Sequence, residues 1–280
     1  MADRVLVVAF DGLDRELIDE FGLEEIKMQE YGEIDNDTGI SKRMTSELFT
    51  TFITGKTHEE HGIKGLSQDE SDRDLVSKIP KSIRYRLKKS ERLMEAAGAL
   101  LGWENQDIYT RDQIRCDTLF DEISNSKDLN IPVYSENTYM ERMFLGFRLG
   151  FGSDVVERDL EAEHDKRKKE TMNAISEGYD FLMSHFFYPD TFQHLYEGTD
   201  NEKENLREMY EQMDRLAGKI RRNAKYAGFD TIIFISDHGR PTKSAHNTNA
   251  FYSSNKELYQ KNPRMKDFYE DILQISGQDG

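Results

Sequence analysis

Three nearly continuous apolar runs stand out in an otherwise polar chain: Arg4 to Phe10 (RVLVVAF), Tyr179 to Phe187 (YDFLMSHFF) and Thr231 to Ser236 (TIIFIS). Each has strand length and lacks the alternation of a half-exposed strand, the pattern of strands buried on both faces of an α/β sheet. Ile131 to Ser135 reads as a further short strand, and Thr118 to Ser126 as a short helix. Asp159 to Ile175 and Asn201 to Ala224 are long, charged and helix-favouring, as expected of helices that cover a sheet. Leu17 to Met44 is a polar connection to which no element is assigned. This alternation predicts an α/β fold, a three-layer α/β/α domain with a mostly parallel central sheet.

A shorter pattern lies at Met44 to Ile63, MTSELFTTFITGKTHEEHGI. Leu48, Phe49 and Phe52 fall on one face of a short helix that Gly55 ends. Thr45 stands where an N-cap belongs, which would present its hydroxyl beside unpaired backbone N–H groups, a place for an anion. A capped amphipathic helix accounts for the same pattern without any function.

From Lys64 to about Arg115 the character changes. An acidic loop (Asp69, Glu70, Asp72, Asp74) leads into a basic island from Lys78 to Arg92. Ile83, Leu87, Met94, Ala97 and Leu101 recur at helical spacing, which predicts an amphipathic helix from about Ser82 to Leu100. Residues 64–115 therefore read as a small helical insertion or cap within a single domain spanning 1–280. Its cationic face is either solvated surface or a contact for an anionic substrate or partner, with Arg84, Arg86 and Lys89 as the candidate contacts.

Composition narrows the function classes. A net charge of -16 argues against general nucleic-acid binding but not against an anionic substrate, because a metal site sets its own local field. The single Cys116 excludes an internal disulfide and a multi-cysteine zinc motif, and reads as a small buried hydrophobe. No run approaches the ~20 apolar residues of a membrane span. The first strand begins close to Met1, leaving no room for a signal peptide, so a cytoplasmic location is expected. Oligomeric state is left open, a homo-oligomer included.

The candidate chemistry sits at strand ends. Asp11 follows the first apolar run. Asp190 and His194 follow the run ending at Phe187, Asp237 and His238 follow the third, and His246 lies in a loop able to reach the same edge. Open α/β sheets place their ligands at the carboxyl ends of strands. Three carboxylates and three imidazoles suit Zn²⁺ ahead of Mn²⁺ or Mg²⁺. With Thr45 added, the ligand types suffice for two divalent metals about 4 Å apart. The other histidines, His58, His61, His164 and His185, read as structural or exposed, with His61 beside the Thr45 helix.

These motifs together resemble the alkaline phosphatase superfamily, and most closely its type I phosphodiesterase/nucleotide pyrophosphatase branch. That branch shows a Thr followed ten residues later by Gly and then by Pro-x-x-His-Gly-Ile; here Thr45 precedes Gly55 and His58-Glu59-Glu60-His61-Gly62-Ile63. The superfamily's Asp-x-x-x-His is matched by Asp190 and His194, its strand-Asp-His-Gly by Asp237-His238-Gly239, its later His by His246 and its opening strand-Asp-Gly by Asp11-Gly12. The branch usually has Pro two residues after the Thr, and further on an Asn that helps hold a phosphoryl oxygen. Glu47 and Leu66 occupy those positions, so these contacts do not carry over. There is no Cys-x-Pro-x-Arg segment, which sets aside a formylglycine-type sulfatase.

The resemblance implies one metal held by Asp11, Thr45, Asp237 and His238, a second held by Asp190, His194 and His246, and Thr45 as nucleophile. The expected function is a phosphodiesterase-like phosphoric ester hydrolase acting through a phosphothreonine on a small phosphorylated substrate of nucleotide type. The alternatives are a phosphomonoesterase, a phosphotransferase or mutase of the same superfamily, and a non-catalytic, metal-stabilised binding protein.

Overall fold

The computed structural model describes residues 2–65, 109–136, 153–241 and 246–278. The helix expected from Ser82 to Leu100, with Arg84, Arg86 and Lys89, lies outside the described residues, as does Leu66.

Among the described residues six strands form one sheet: β1 (Val5–Phe10), β2 (Glu30–Glu33), β3 (Ser126–Leu129), β4 (Phe181–Phe186), β5 (Thr231–Ile235) and β6 (Phe251–Ser254), in the order β2-β6-β5-β1-β4-β3. β1 is parallel to β4 and β5, and β3 is parallel to β4. β6 runs against both β5 and β2, so five strands point one way. The three apolar runs are the adjacent strands β4, β1 and β5, every residue of which is buried. Ala9 pairs with both His185 and Ile235. This register brings the segments after Phe10, Phe186 and Ile235 out at one edge of the sheet.

The helices are α1 (Arg15–Glu20), α2 (Thr45–Thr54), α3 (His58–His61), α4 (Leu119–Glu122), α5 (Ser153–Glu177), α6 (Tyr188–Tyr196), α7 (Glu202–Tyr226) and α8 (Asp267–Ile275), with a 3₁₀ turn at Arg111–Gln113. Side chains alternate along β1 and feed two cores. Leu6, Val8 and Phe10 pack with Leu160 of α5 and Met209, Met213 and Ile220 of α7. Val5, Val7 and Ala9 pack with Leu48, Phe49 and Phe52 of α2, Leu119 of α4 and Phe268 of α8. Helices thus cover both faces of a mostly parallel sheet, the expected three layers. Among the described residues no helix is long and apolar enough to cross a membrane.

Several local expectations differ from the structure. Ile131 to Ser135 is a turn, not a strand: Val133 has φ 67, and Tyr134 and Ser135 both donate their N–H to the Ile131 carbonyl. Its apolar side chains are buried, with Tyr134 stacked on Phe120 at 4.5 Å, so the run reports burial and not strand geometry. The strand there is the preceding Ser126–Leu129, half-buried at the sheet edge. The helix expected over Thr118 to Ser126 spans only Leu119–Glu122. Leu17 to Met44 contains the end of α1 and the other edge strand, β2. Cys116 is half-buried in a loop and is not a core residue.

α2 departs from expectation in two respects. Met44 is its N-cap, and Thr45 is the first helical residue, with no side-chain capping bond at this end. The helix is buried all round from Ser46 to Thr54. Thr50 and Thr54 donate their hydroxyls to the Ser46 and Thr50 carbonyls, at 2.7 and 2.6 Å, which lets polar side chains lie in that environment.

Candidate functional site

The structure brings Asp11, Thr45, Asp190, His194, Asp237, His238 and His246 together at the carboxyl edge of the sheet. Asp11 and Asp237 leave β1 and β5 within two residues of the strand ends. Asp190 and His194 lie one turn apart on α6, an i, i+4 pair on one face. Gly12 leaves room for Asp190: its φ is +67, and a Cβ there would stand 2.9 Å from Asp190 Oδ1. His246 reaches in from a loop bridged to Pro241.

The hydrogen bonds fix which atoms face inward. His238 Nδ1 lies 2.9 Å from the Gly239 carbonyl, which can only accept, so the proton is on Nδ1 and Nε2 carries a lone pair. That lone pair meets Asp11 Oδ1 at 3.4 Å, Asp237 Oδ2 at 3.3 Å and the Thr45 hydroxyl oxygen at 3.4 Å. The Thr45 hydroxyl is also 3.4 Å from Asp11 Oδ1, to which it can donate. His246 repeats the device: Nδ1 donates to the Arg43 carbonyl at 3.3 Å, while the Arg43 Nε donates back to the His246 carbonyl at 3.1 Å. Its free Nε2 stands 3.3 Å from His194 Nε2 and 3.7 Å from Asp190 Oδ1. The His238 and His246 rings stack at 3.9 Å.

Acceptors therefore face acceptors. Asp11 Oδ2, Asp190 Oδ1 and Asp237 Oδ2 are buried with no hydrogen-bond partner among the described residues. Leaving such groups unpaired is costly, and cations resolve the conflict. Two sets of three offer ligand atoms within 4.8 Å of one another: Asp190, His194 and His246, and Asp11, Asp190 and His238. Asp190 belongs to both, whereas the resemblance puts it on one metal only. The donor set and the orphaned oxygens fit divalent ions.

The electrostatics agree. Burial, then the Asp237 and Asp190 carboxylates, push Asp11 well above the ordinary carboxylate range. Burial pushes Asp237 up to about 6. Burial, then the His246 ring, push His238 down to about 3, so it is neutral at neutral pH, as a ligand must be.

The contact of His185 with the site escaped sequence reasoning, which reads that residue only as structural or exposed. His185 of β4 is buried with Nε2 at 3.2 Å from Asp11 Oδ2, between the rings of Phe49 and Phe187. Only the sheet register could have pointed to it, since Asp11 is 174 positions away. His61 is structural: its Nε2 lies 3.1 Å from the Thr51 hydroxyl, and its Nδ1 accepts from the Ile63 N–H. Glu47, in place of the branch's Pro, is fully buried and accepts from the Ser41 N–H and hydroxyl and the Gly65 N–H, so it ties down the α2 entrance.

Residues 5–266 match the sequence profile of the type I phosphodiesterase / nucleotide pyrophosphatase family. A comparison with curated proteins finds no matching sequence. Murine ectonucleotide pyrophosphatase/phosphodiesterase 5, solved as an inactive threonine-to-alanine variant in complex with AMP, is similar with a TM-score of 0.52 at 14% identity, over 85% of this chain and 57% of that one. A 2-O GAG sulfatase, BT1596, gives 0.57 at 10% identity over 99% and 71% of the two chains. The PH0037 protein of Pyrococcus horikoshii gives 0.51 at 12% identity over 100% and 98%. At such identities the likeness is one of fold, and the chain spans a little over half the length of the murine protein. The profile match runs from β1 to Lys266, the N-cap of α8, and on that extent the chain belongs to the type I phosphodiesterase / nucleotide pyrophosphatase family.

Proposed function

We propose that the chain is a metal-dependent phosphoric ester hydrolase with Thr45 as its nucleophile. The observation that carries this reading is the Thr45 hydroxyl, placed 3.4 Å from both Asp11 Oδ1 and His238 Nε2 beside a cluster of unpartnered acceptors. Asp11, Asp237 and His238 would hold one divalent ion together with Thr45, and His194 and His246 a second, with Asp190 within reach of both. When bound, the ions would neutralise phosphoryl and leaving-group oxygens and favour the threonine alkoxide.

The chain's own residues do the positioning. Asp11 Oδ1 and His238 Nε2 flank the Thr45 hydroxyl at 3.4 Å and aim it into the site; with an ion bound they would be its ligands, and the hydroxyl proton would pass to solvent water. The Thr45 oxygen attacks phosphorus, the Thr45 O–P bond forms and the bond to the leaving alcohol or phosphate breaks. Water then cleaves the phosphothreonine, restores the hydroxyl and releases the phosphoryl group. Such transfers ask mainly for alignment and charge neutralisation.

The family and the AMP bound to the murine relative favour a diester or pyrophosphate of nucleotide type. The basic segment with Arg84, Arg86 and Lys89 is the proposed contact for its anionic part, carried by an insertion at 64–115. Anomalous scattering at the zinc edge, combined with nitrophenyl phosphate mono- and diesters as substrates, tests the proposal. Two ions among the seven residues and faster turnover of diesters are expected. Absence of ions from the cluster, or no hydrolysis by a metal-loaded protein, would overturn it.

A further inference from the structure

Asp14 is 2% exposed, yet it is neither a candidate ligand nor part of the hydrophobic core. Its carboxylate collects donors from three separate segments. Oδ1 caps α1 by accepting the Glu16 N–H at 2.9 Å. Oδ2 accepts the Arg240 N–H at 3.2 Å, two residues past His238. Oδ2 also accepts the Asn247 amide at 2.6 Å, one residue past His246, and the Asn249 amide approaches Oδ1 at 3.3 Å. Through its backbone the same residue reaches α6. The Asp14 N–H donates to the Tyr210 hydroxyl at 2.8 Å, that hydroxyl donates to Gln193 Oε1 at 3.0 Å, and Gln193 Nε2 returns a bond to the Gly12 carbonyl at 2.8 Å. Gln193 is the residue before His194.

Every ligand-bearing segment except α2 is thus tied to Asp14. The Asp11–Gly12 turn precedes it, the Asp237–His238 segment is held through Arg240, the His246 loop through Asn247 and Asn249, and α6 through Tyr210 and Gln193. The junction is also close-packed. A Cβ on Gly239 would collide with Asn247 Oδ1 and stand 2.7 Å from Asp14 Oδ2. The loop can dock on Asp14 because position 239 has no side chain.

We infer that Asp14 is a positioning residue that sets the spacing between the two ligand groups, by docking the His246 loop onto the turn that carries Asp11. The inference rests on the two-ion reading above. Its consequence is asymmetric. Asp11, Asp237 and His238 are fixed mainly by the strands that carry them, whereas His246 depends on a loop whose side-chain anchors include Asn247 and Asn249. Losing the anchor weakens the ion that His246 would share and spares the other.

The test is zinc stoichiometry and affinity by chelator competition, for the unmodified chain, Asp14→Asn and Asn247→Ala. Asp14→Asn keeps the shape but turns one acceptor into a donor facing other donors. Asn247→Ala removes one tie to Asp14, together with the bond that Asn247 Oδ1 accepts from the Asn249 N–H, and guards against misfolding of the first variant. Two ions are expected in the unmodified chain. In both variants one ion should keep its affinity while the other weakens roughly 10–100-fold, the usual effect of losing an outer hydrogen bond at a metal site. A merely structural role would lower thermal stability and leave the ratio of the two affinities unchanged. Equal weakening of both ions, or none, therefore overturns the inference. Fewer than two ions in the unmodified chain would instead overturn the two-ion reading on which it depends.

Discussion

Thr45 shows how much a single position can ask of a fold. As the first helical residue of α2 with no capping bond, it contributes little to holding the helix, yet its hydroxyl is fixed 3.4 Å from two site atoms. Thr45→Ala should therefore abolish turnover by several orders of magnitude while stability changes by less than ~0.5 kcal/mol. Thr45→Ser, which keeps the oxygen, should retain substantial activity. Steady-state kinetics alongside urea unfolding separate the two effects, and an active Thr45→Ala protein would end the covalent mechanism. His164 is a contrasting case. It is buried against Tyr188 at 4.2 Å, neither ring nitrogen has a hydrogen-bond partner among the described residues, and burial pushes it down to about 3. A histidine depressed in the folded state contributes stability that is whole above the unfolded value near 6.5 and is lost as pH falls toward the folded one. At about pH 5 that loss amounts to about 2 kcal/mol, so His164→Phe should shrink the stability difference between neutral and mildly acid solution by that amount. Unfolding curves at the two pH values decide it. Of the residues at the site, those legible beforehand follow a strand or belong to a short motif. Asp14, Arg43 and His185 carry no such mark, because their partners are distant in the chain and only the fold brings them together.

The same division runs through the elements. β1, β4 and β5 lie side by side in the middle of the sheet and are covered on both faces, so they read as unbroken apolar runs. β2 and β3 are the two edges, and EYGE and SKDL carry too few apolar positions to announce a strand. Ile131 to Ser135 misleads for the opposite reason: hydrophobicity reports burial, and a turn can be buried too. α2 was legible as a helix but not as one buried on every side. Its role is to hold Thr45 against the sheet edge, and it does so by packing. Phe52, fully buried, contacts Phe268 of α8 with ring centroids 5.3 Å apart. Phe52→Ala should cost ~3–5 kcal/mol. Because the cavity would open under the middle of α2, the loss should appear in the unfolding midpoint before it appears in zinc affinity at saturating metal. If Phe52→Ala left stability intact, α2 would not be the packed support described here. The basic segment poses a separate question, answerable by charge. Reversing Arg84, Arg86 and Lys89 to Glu should raise KM for anionic diesters and leave the unfolding midpoint in place; unchanged kinetics would reduce that segment to solvated surface.

For the molecule as a whole, the site is a store of unfavourable charge that folding tolerates and metal would relieve. Three carboxylates converge at the carboxyl edge of the sheet, with Asp11 and Asp237 fully buried, in a chain whose net charge is already -16. Without metal, burial and mutual repulsion hold Asp11 well above the ordinary range, and burial holds Asp237 at about 6. A carboxyl raised in the folded state contributes stability that is complete below its unfolded value and disappears as pH rises through the folded one. For Asp237 that loss begins at the ordinary carboxylate range and is complete once pH has passed the raised folded value of about 6, so it is fully felt at neutral pH. A divalent ion reverses this logic, since it requires the charged form. Binding must then displace a proton from the Asp11–Asp237 pair wherever it is still protonated, so zinc affinity should be weaker at about pH 5 than at about pH 7.5. Thermal unfolding with and without chelator gives the corresponding stability. The midpoint gained on adding zinc should be larger at about pH 7.5 than at about pH 5, because at neutral pH the ions both bind more tightly and relieve repulsion that the acid solution has already removed by protonation. Equal gains at the two pH values would mean that Asp11 and Asp237 do not face the ions, and the two-ion site would have to be given up.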